Sequence, residues 1–266
     1  MKERLDVLLV EKGFFPTREK AKRAIMAGLV IVNEQKIEKA GTQIKVDEEP
    51  EIRIKGQVLP YVSRGGLKLE KAIKEFDLDF NGKKVLDVGS STGGFTDCSL
   101  QNGAEFVYAV DVGTNQLDWK LRNDERVLSL ENMHIKNLRL EDLGENKVDY
   151  IVMDVSFISI TKVLEHLVKF MKPEARIMAL IKPQFEVGRE NIEKGGIVKN
   201  RAKHKMAIES VVENASVNGL YLEKLDYSPI TGGKGNVEYI SLFSLHKNES
   251  KVDIDEVIEK GKTLKN

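Results

Sequence analysis

The chain has 266 residues, 41% hydrophobic and 32% charged, which suits a globular protein with one large domain and a small one. Its 42 Lys and Arg balance 42 Asp and Glu, so net charge gives no global sign of a nucleic-acid or membrane partner, and any such binding must rest on local charge placement. Met1–Asp6 lacks the apolar core of a secretory signal, no stretch approaches the ~18 apolar residues of a membrane span, and the single Cys98 excludes an intrachain disulfide or a cysteine-rich zinc site. The four histidines have no ligand spacing. These features lead us to expect a cytoplasmic protein with no membrane span and no metal.

In chain order, residues 4–12 read as a short helix with Leu5, Leu8 and Leu9 on one face, ended by Gly13. Thr17 is placed to cap a second helix that runs to about Ala27, with Gly28 as its stop. Ala21, Ala24, Ile25 and Gly28 form its narrow apolar face, and Arg18, Lys20, Lys22 and Arg23 surround the rest. A strand Leu29–Asn33 follows, with a turn at Glu34–Gln35 and further strand-like pieces to about Lys55. The first 24 residues hold seven Lys and Arg against four Asp and Glu, a mild basic excess. Arg4-Leu5-Asp6, Thr17–Ala21, Ile25, Gly28–Val30 and Val32-Asn33 together resemble the small α+β RNA-binding fold named after ribosomal protein S-four. The resemblance covers about residues 3–50 and implies RNA contacts from Arg4, Arg18, Lys20, Lys22 and Arg23. A basic helix face is more often only a solvated surface, but here the ordered match outweighs that reading.

Residues 56–62, with Pro60, read as a linker between a domain at 1–55 and one at 63–247. Beyond it, strands rich in Val, Ile and Leu alternate with helical segments, the pattern of an α/β parallel sheet covered on both faces. The expected strands are 84–88, 105–110, 127–130, 150–153, 176–181, 221–227 and 237–245, and the expected helices 66–76, 94–102, 115–121, 159–171 and 202–217. Residues 183–200 form a long glycine-containing insertion, and the charged tail 248–266 is expected to fray.

After the first of these strands comes Asp87-Val88-Gly89-Ser90-Ser91-Thr92-Gly93-Gly94-Phe95, which opens a helix. Glycines let backbone approach a ligand, and a helix N-terminus presents free N–H groups. The spacing is not G-x-G-x-x-G, which disfavours a nicotinamide cofactor. Asp111 ends the next strand, 24 residues beyond Asp87, where a carboxylate can accept both hydroxyls of an adenosine ribose. These segments resemble the first two motifs of the class I, Rossmann-like S-adenosylmethionine-dependent methyltransferases. The resemblance implies cofactor contacts from Asp87, Gly89, Ser91, Gly93, Gly94, Phe95 and Asp111, with Asn132 and Met133 on the adenine side.

Asp154 and Lys182 each close a strand, and in a parallel sheet both ends fall on the ligand-binding rim. Glu238 lies near the start of the last strand. The short loop 228–236 makes that strand antiparallel and returns Glu238 to the same rim. Lys68 lies nearest the edge of the apolar stripe Leu69, Ala72, Ile73 and Phe76. Two lysines and two carboxylates suit removal of a proton from a ribose 2′-hydroxyl beside a methyl donor. A lysine with an ordinary pKa of about 10.4 must be depressed by burial or by a second positive charge to act as base. Lys68 and the cofactor sulfonium are candidates for that charge. Ordinary surface ion pairs would explain any one of the four residues alone, but not all four at one rim.

Ser63–Leu69, Asp87–Thr96, Asp154–Ser159, Lys182–Glu186, Lys194–Val198 and Ser228–Glu238 resemble the TlyA family of rRNA 2′-O-ribose methyltransferases with an FtsJ-like catalytic domain. The resemblance implies a Lys68–Asp154–Lys182–Glu238 tetrad with Lys182 as base, an RNA contact from Arg64, S-adenosylmethionine as cofactor, and a cytidine 2′-hydroxyl in rRNA or ribosomal subunits as substrate. The family also carries a hemolysin label, so a membrane-active protein is the rival from another class. That rival needs a span, a barrel pattern or an amphipathic basic surface helix. An RNA-binding assembly factor that rarely turns over and a small-molecule methyltransferase are further alternatives. The tetrad argues against the first and the RNA-binding module against the second.

Overall fold

The computed structural model describes residues 2–48, 50–55, 59–247 and 252–264, and it divides into two compact units, Met1–Pro60 and Tyr61–Asn266. Residues 56–58 of the expected linker, and 248–251 and 265–266 of the expected tail, lie outside the described residues.

The first unit contains β1 (Lys2–Arg4), α1 (Leu5–Glu11), α2 (Arg18–Met26), β2 (Val30–Val32), β3 (Gln35–Ile37), β4 (Gln43–Lys45) and β5 (Ile52–Ile54). β1 pairs with β4, and β2 is the centre of the antiparallel order β3-β2-β5. The Thr17 hydroxyl accepts the Lys20 N–H at 3.3 Å, so the expected cap forms. Leu5, Leu8 and Leu9 of α1 meet Ala21, Ala24 and Ile25 of α2 over Val30 and Val32. The β2–β3 turn sits at Asn33–Glu34, one residue earlier than expected. Both residues have positive φ, 47° and 63°, the geometry whose twist matches a two-residue hairpin.

The second unit is an α/β layer structure. Its strands are β6 (Lys84–Val88), β7 (Phe106–Val110), β8 (Val127–Leu130), β9 (Val148–Met153), β10 (Met171–Ile181), β11 (Tyr221–Tyr227) and β12 (Tyr239–Ser244), in the order β11-β12-β10-β9-β6-β7-β8. β10, β9, β6, β7 and β8 are mutually parallel, and β12 runs antiparallel to both neighbours. The helices are α3 (Gly66–Phe76), α4 (Gly94–Gln101), α5 (Trp119–Arg122), α6 (Thr161–Leu164), α7 (Pro183–Glu186), α8 (Arg201–Val217) and α9 (Ile254–Gly261). Alternate strand residues face opposite layers. Val85, Val107 and Val152 pack with Leu69 of α3 and Leu121 of α5, while Leu86, Ile151 and Ile177 pack with Ile208 and Val211 of α8. Burial on both faces is why these strands read as continuous apolar runs. The arrangement is a class I methyltransferase sheet with its last strand antiparallel.

Three helical expectations need correction. The helix expected at 115–121 is only α5, because Asn115 is left-handed at φ 55° and the Asp118 carboxylate caps at the Lys120 N–H. The helix expected at 159–171 shrinks to α6 and one 3₁₀ turn, Val168–Phe170, and the next strand starts at Met171. The tail does not simply fray. The Asp253 carboxylate caps α9 through the Glu256 N–H, and Val257 and Ile258 are buried in the core.

Candidate active site

The parallel strands deliver their C-terminal ends to one rim. β6 ends at Val88 before the glycine-rich turn, β7 at Val110 before Asp111, β9 at Met153 before Asp154, and β10 at Ile181 before Lys182. Ile181 pairs with Tyr239, so antiparallel β12 brings Glu238 back opposite Lys182. Pro183 holds Lys182 extended and opens α7, fixing where the strand stops. Gly89 has φ 81°, and a Cβ there would lie 3.1 Å from the Asp154 carbonyl oxygen. Only glycine lets the turn pass this close to β9.

Lys68, Asp154, Lys182 and Glu238 converge. Lys68 Nζ donates to Glu238 Oε2 at 2.7 Å and to Asp154 Oδ2 at 3.3 Å. Lys182 Nζ lies 2.5 Å from Asp154 Oδ1 and donates to Ser156 Oγ at 2.8 Å. Lys68, Lys182 and Glu238 are buried, and Asp154 keeps a fifth of its side chain exposed, at 21%. Burial disfavours the Lys68 ammonium, yet the Asp154 and Glu238 carboxylates outweigh it and hold its pKa above the ordinary lysine value. Burial likewise works against the Asp154 carboxylate, and the two lysines overcome it and hold its pKa below the usual range. The sequence offered Lys68 as a source of positive charge for Lys182, with Asp154 and Glu238 orienting the lysines and opposing its effect. Asp154 stands between the two lysines, so much of the Lys68 charge is met by carboxylates before it reaches Lys182.

Two cavities meet at this cluster. One, of about 540 Å³, contains the tetrad and is flanked by Arg64, Phe157, Phe185 and Asn236. The other, of about 360 Å³, lies over the ends of β6 and β7 and is lined by Asp111, Val112, Met133, Ile135, Val155 and Ile158. Gly89, Ser91, Asp154, Ser156 and Phe157 border both. Asp111 is held by two backbone donors, Ser91 N–H at 2.8 Å and Gly113 N–H at 2.7 Å, which fix its carboxylate at the cavity wall. The lining of this smaller cavity has the chemistry a nucleoside needs: apolar side chains supply faces for a base, and an oriented carboxylate can accept ribose hydroxyls.

Of the expected cofactor residues, Gly89, Ser91, Asp111 and Met133 line the smaller cavity, and Gly94 and Phe95 line the larger. Three do not line either. Asp87 is fully buried beneath the turn, where its Oδ2 accepts the Thr96 hydroxyl at 2.6 Å and its Oδ1 has no partner. Burial pushes its pKa up to about 7, with the Asp154 and Asp111 charges adding to the effect. Gly93, at φ 94°, serves packing, since a Cβ would sit 2.3 Å from Leu121. Asn132 is exposed outside the cavity. The sequence reading assigned no role to Ser156, Phe157 or Asn236, although all three lie inside segments it singled out. Phe157 is 92% exposed because its left-handed backbone, φ 66°, turns the ring outward, 5.4 Å from that of Phe185. Asn236 is buried and braces two loops, accepting the Val198 N–H at 3.0 Å and donating to the Gly196 carbonyl at 2.9 Å. Strand periodicity carries no signal for either feature.

Among the expected RNA contacts, Arg64 is exposed at the larger cavity. Arg4 and Arg18 both donate to the buried Asp6, at 2.9 and 2.7 Å, and Arg4 first, then Arg18, hold its pKa at about 2. Arg23 lies 3.6 Å from Glu19, and Lys20 and Lys22 lie on the same helix, half-exposed. Among the described residues no cluster of His, Cys, Asp or Glu is arranged to hold a metal ion.

The FtsJ-like methyltransferase family matches residues 61–245, the whole of the sheet and its rim. The chain belongs to the FtsJ-like methyltransferase family. An S4 domain matches residues 3–49. A Bacillus subtilis protein whose name assigns it to the rRNA methyltransferases, YqxC, is 50% identical over 90% of this chain and 84% of its own length. The Mycobacterium tuberculosis 16S/23S rRNA (cytidine-2′-O)-methyltransferase TlyA is 38% identical over 89% of this chain and 87% of its own. A solved Streptococcus thermophilus structure carrying a hemolysin name is 45% identical, with a TM-score of 0.75 over 98% of this chain and 96% of that one. Among the described residues of this family member, no helix is long and apolar enough to cross a membrane.

Proposed function

We propose that this FtsJ-like enzyme transfers a methyl group from S-adenosylmethionine to the 2′-hydroxyl of a ribose, in a cytidine, in ribosomal RNA. The observation that carries the reading is the largely buried Lys68–Asp154–Lys182–Glu238 cluster at the junction of two cavities, the smaller lined by apolar side chains and the Asp111 carboxylate. The TlyA relative's name supports both the reaction and the nucleoside.

When bound, S-adenosylmethionine supplies an electrophilic methyl on a sulfonium. Asp111 would hold its ribose, and Met133 with Ile135 would flank its adenine. Lys182, once its ammonium has given up its proton to solvent, would as a neutral amine receive the substrate hydroxyl proton while the oxygen bonds the methyl carbon and the methyl–sulfur bond breaks. Asp154 and Ser156 fix the direction of Lys182 Nζ. Glu238 and Asp154 hold Lys68, which closes the charge balance of a site containing two lysines and two carboxylates. A buried set of this kind cannot lose one member without leaving an uncompensated charge. The exposed ring of Phe157, beside half-buried Phe185 at the larger cavity, gives an unstacked base a face to rest on. The S4 domain supplies RNA affinity through its basic helix.

Mapping 2′-O-methyl positions in rRNA from cells with and without the gene tests the reading. A cytidine methylated only when the gene is present is the expected result. Identical maps would contradict it.

A further inference from the structure

A third cavity, of about 390 Å³, lies beside the larger active-site cavity. Lys199, Lys234 and Lys262 line it, together with buried His204 and Tyr239, and among the described residues no carboxylate lines it. His204 is not a free ligand group. Its Nε2 faces the Val198 carbonyl at 2.7 Å and its Nδ1 the Tyr239 hydroxyl at 2.7 Å. A carbonyl only accepts, so Nε2 carries the proton, and in the neutral ring Nδ1 accepts from Tyr239. The positive charge of the cavity therefore comes from the three lysines. The nearest carboxylates stand outside it: Glu259 takes the Lys262 ammonium at 2.9 Å, and Glu193 takes the Lys199 backbone N–H at 3.2 Å.

Lys234 links this cavity to the active site, because it lines both. It is held at φ 59° between Gly233 and Gly235, in the loop that Asn236 ties to Val198 and Gly196. Lys234 is exposed, and its left-handed backbone in this braced loop sets where its side chain leaves the chain between the two cavities.

We propose that this cavity binds a backbone phosphodiester of the substrate RNA next to the nucleotide whose ribose lies at Lys182. The proposal rests on the function reading above and adds a subsite to it. The ends of α9 and of the 193–200 loop thereby become part of substrate recognition.

The test is the double variant Lys199→Gln with Lys262→Gln, neither residue lining the tetrad cavity. KM for an rRNA fragment should rise several-fold at moderate salt, with kcat and S-adenosylmethionine affinity unchanged. The log–log salt dependence of binding should flatten by about 0.7 for the lost phosphate contact. The matching Arg pair should restore KM, and Lys83→Gln with Lys147→Gln, at the opposite end of the sheet, should leave it alone. An unchanged KM and salt slope would overturn the subsite, as would a fall in kcat alone, which marks a packing role. If the wild type itself shows no rRNA-dependent transfer, the function reading fails and the subsite with it.

Discussion

At the residue scale, Asp111 and Asp87 separate two tasks that the sequence presents as one. Both are acids at a strand end near the glycine-rich turn, but the β-strand period and the turn geometry put one in the cavity and the other beneath it. Asp111→Ala should weaken S-adenosylmethionine binding by about 1.5–3 kcal/mol, the value of a charge-assisted hydrogen bond, as read by calorimetry. Unchanged affinity in a folded variant would remove Asp111 from the site. Asp87 should instead register in stability. Its carboxyl ionises near pH 4 when unfolded but only near about 7 when folded, so the folded state holds an extra proton between those values. That contribution is complete below pH ~4 and is lost as pH rises through about 7. Asp87→Asn should therefore flatten the fall in melting temperature across this window relative to the wild type. An equal slope in both proteins would mean that Asp87 is ionised throughout. The shared rim of Asp154, Lys182 and Glu238 was legible because each flanks a strand, and Lys68 was placed by the apolar stripe of the helix on which it lies. Phe157 was not, because its direction depends on a left-handed backbone that no residue pattern announces, and Ser156 lies in the same loop beyond the strand, where the strand period no longer applies.

At the element scale, the central strands β6, β7, β9 and β10 were the most legible feature, since burial on both faces makes them largely apolar runs. The short helices were not. α5 and α6 have four residues each, about one turn, too little for a helical period to stand out from its neighbours. α9 was hidden differently, by a tail whose charges mask an apolar face. Val257 and Ile258 reach the core while Asp255, Lys260 and Lys262 stay on its outside. Ile258→Ala should cost about 2–5 kcal/mol in denaturant unfolding, the range for truncating a buried isoleucine. A frayed tail would show no change.

At the scale of the whole molecule, balanced net charge concealed a division of labour that the two family matches expose. The S4 domain carries its basic residues unevenly committed. Arg4 and Arg18 are tied to Asp6, so reversing Arg18 would confound binding with folding. Lys20→Glu with Lys22→Glu is the cleaner test. Weaker rRNA binding with a flatter salt dependence is expected, with S-adenosylmethionine affinity intact. Unchanged affinity across salt concentrations would make this helix a solvated face. The central claim, that Lys182 takes the proton of a ribose hydroxyl, is tested most directly by Lys182→Arg. Guanidinium keeps the positive charge beside Asp154 and does not give up its proton near neutral pH. Tritium transfer from labelled S-adenosylmethionine to rRNA, with digestion to nucleosides, should yield 2′-O-methylcytidine with the wild type, at a rate that rises with pH. The arginine variant should yield none while still binding the cofactor. Substantial label in 2′-O-methylcytidine from the arginine variant would contradict the account.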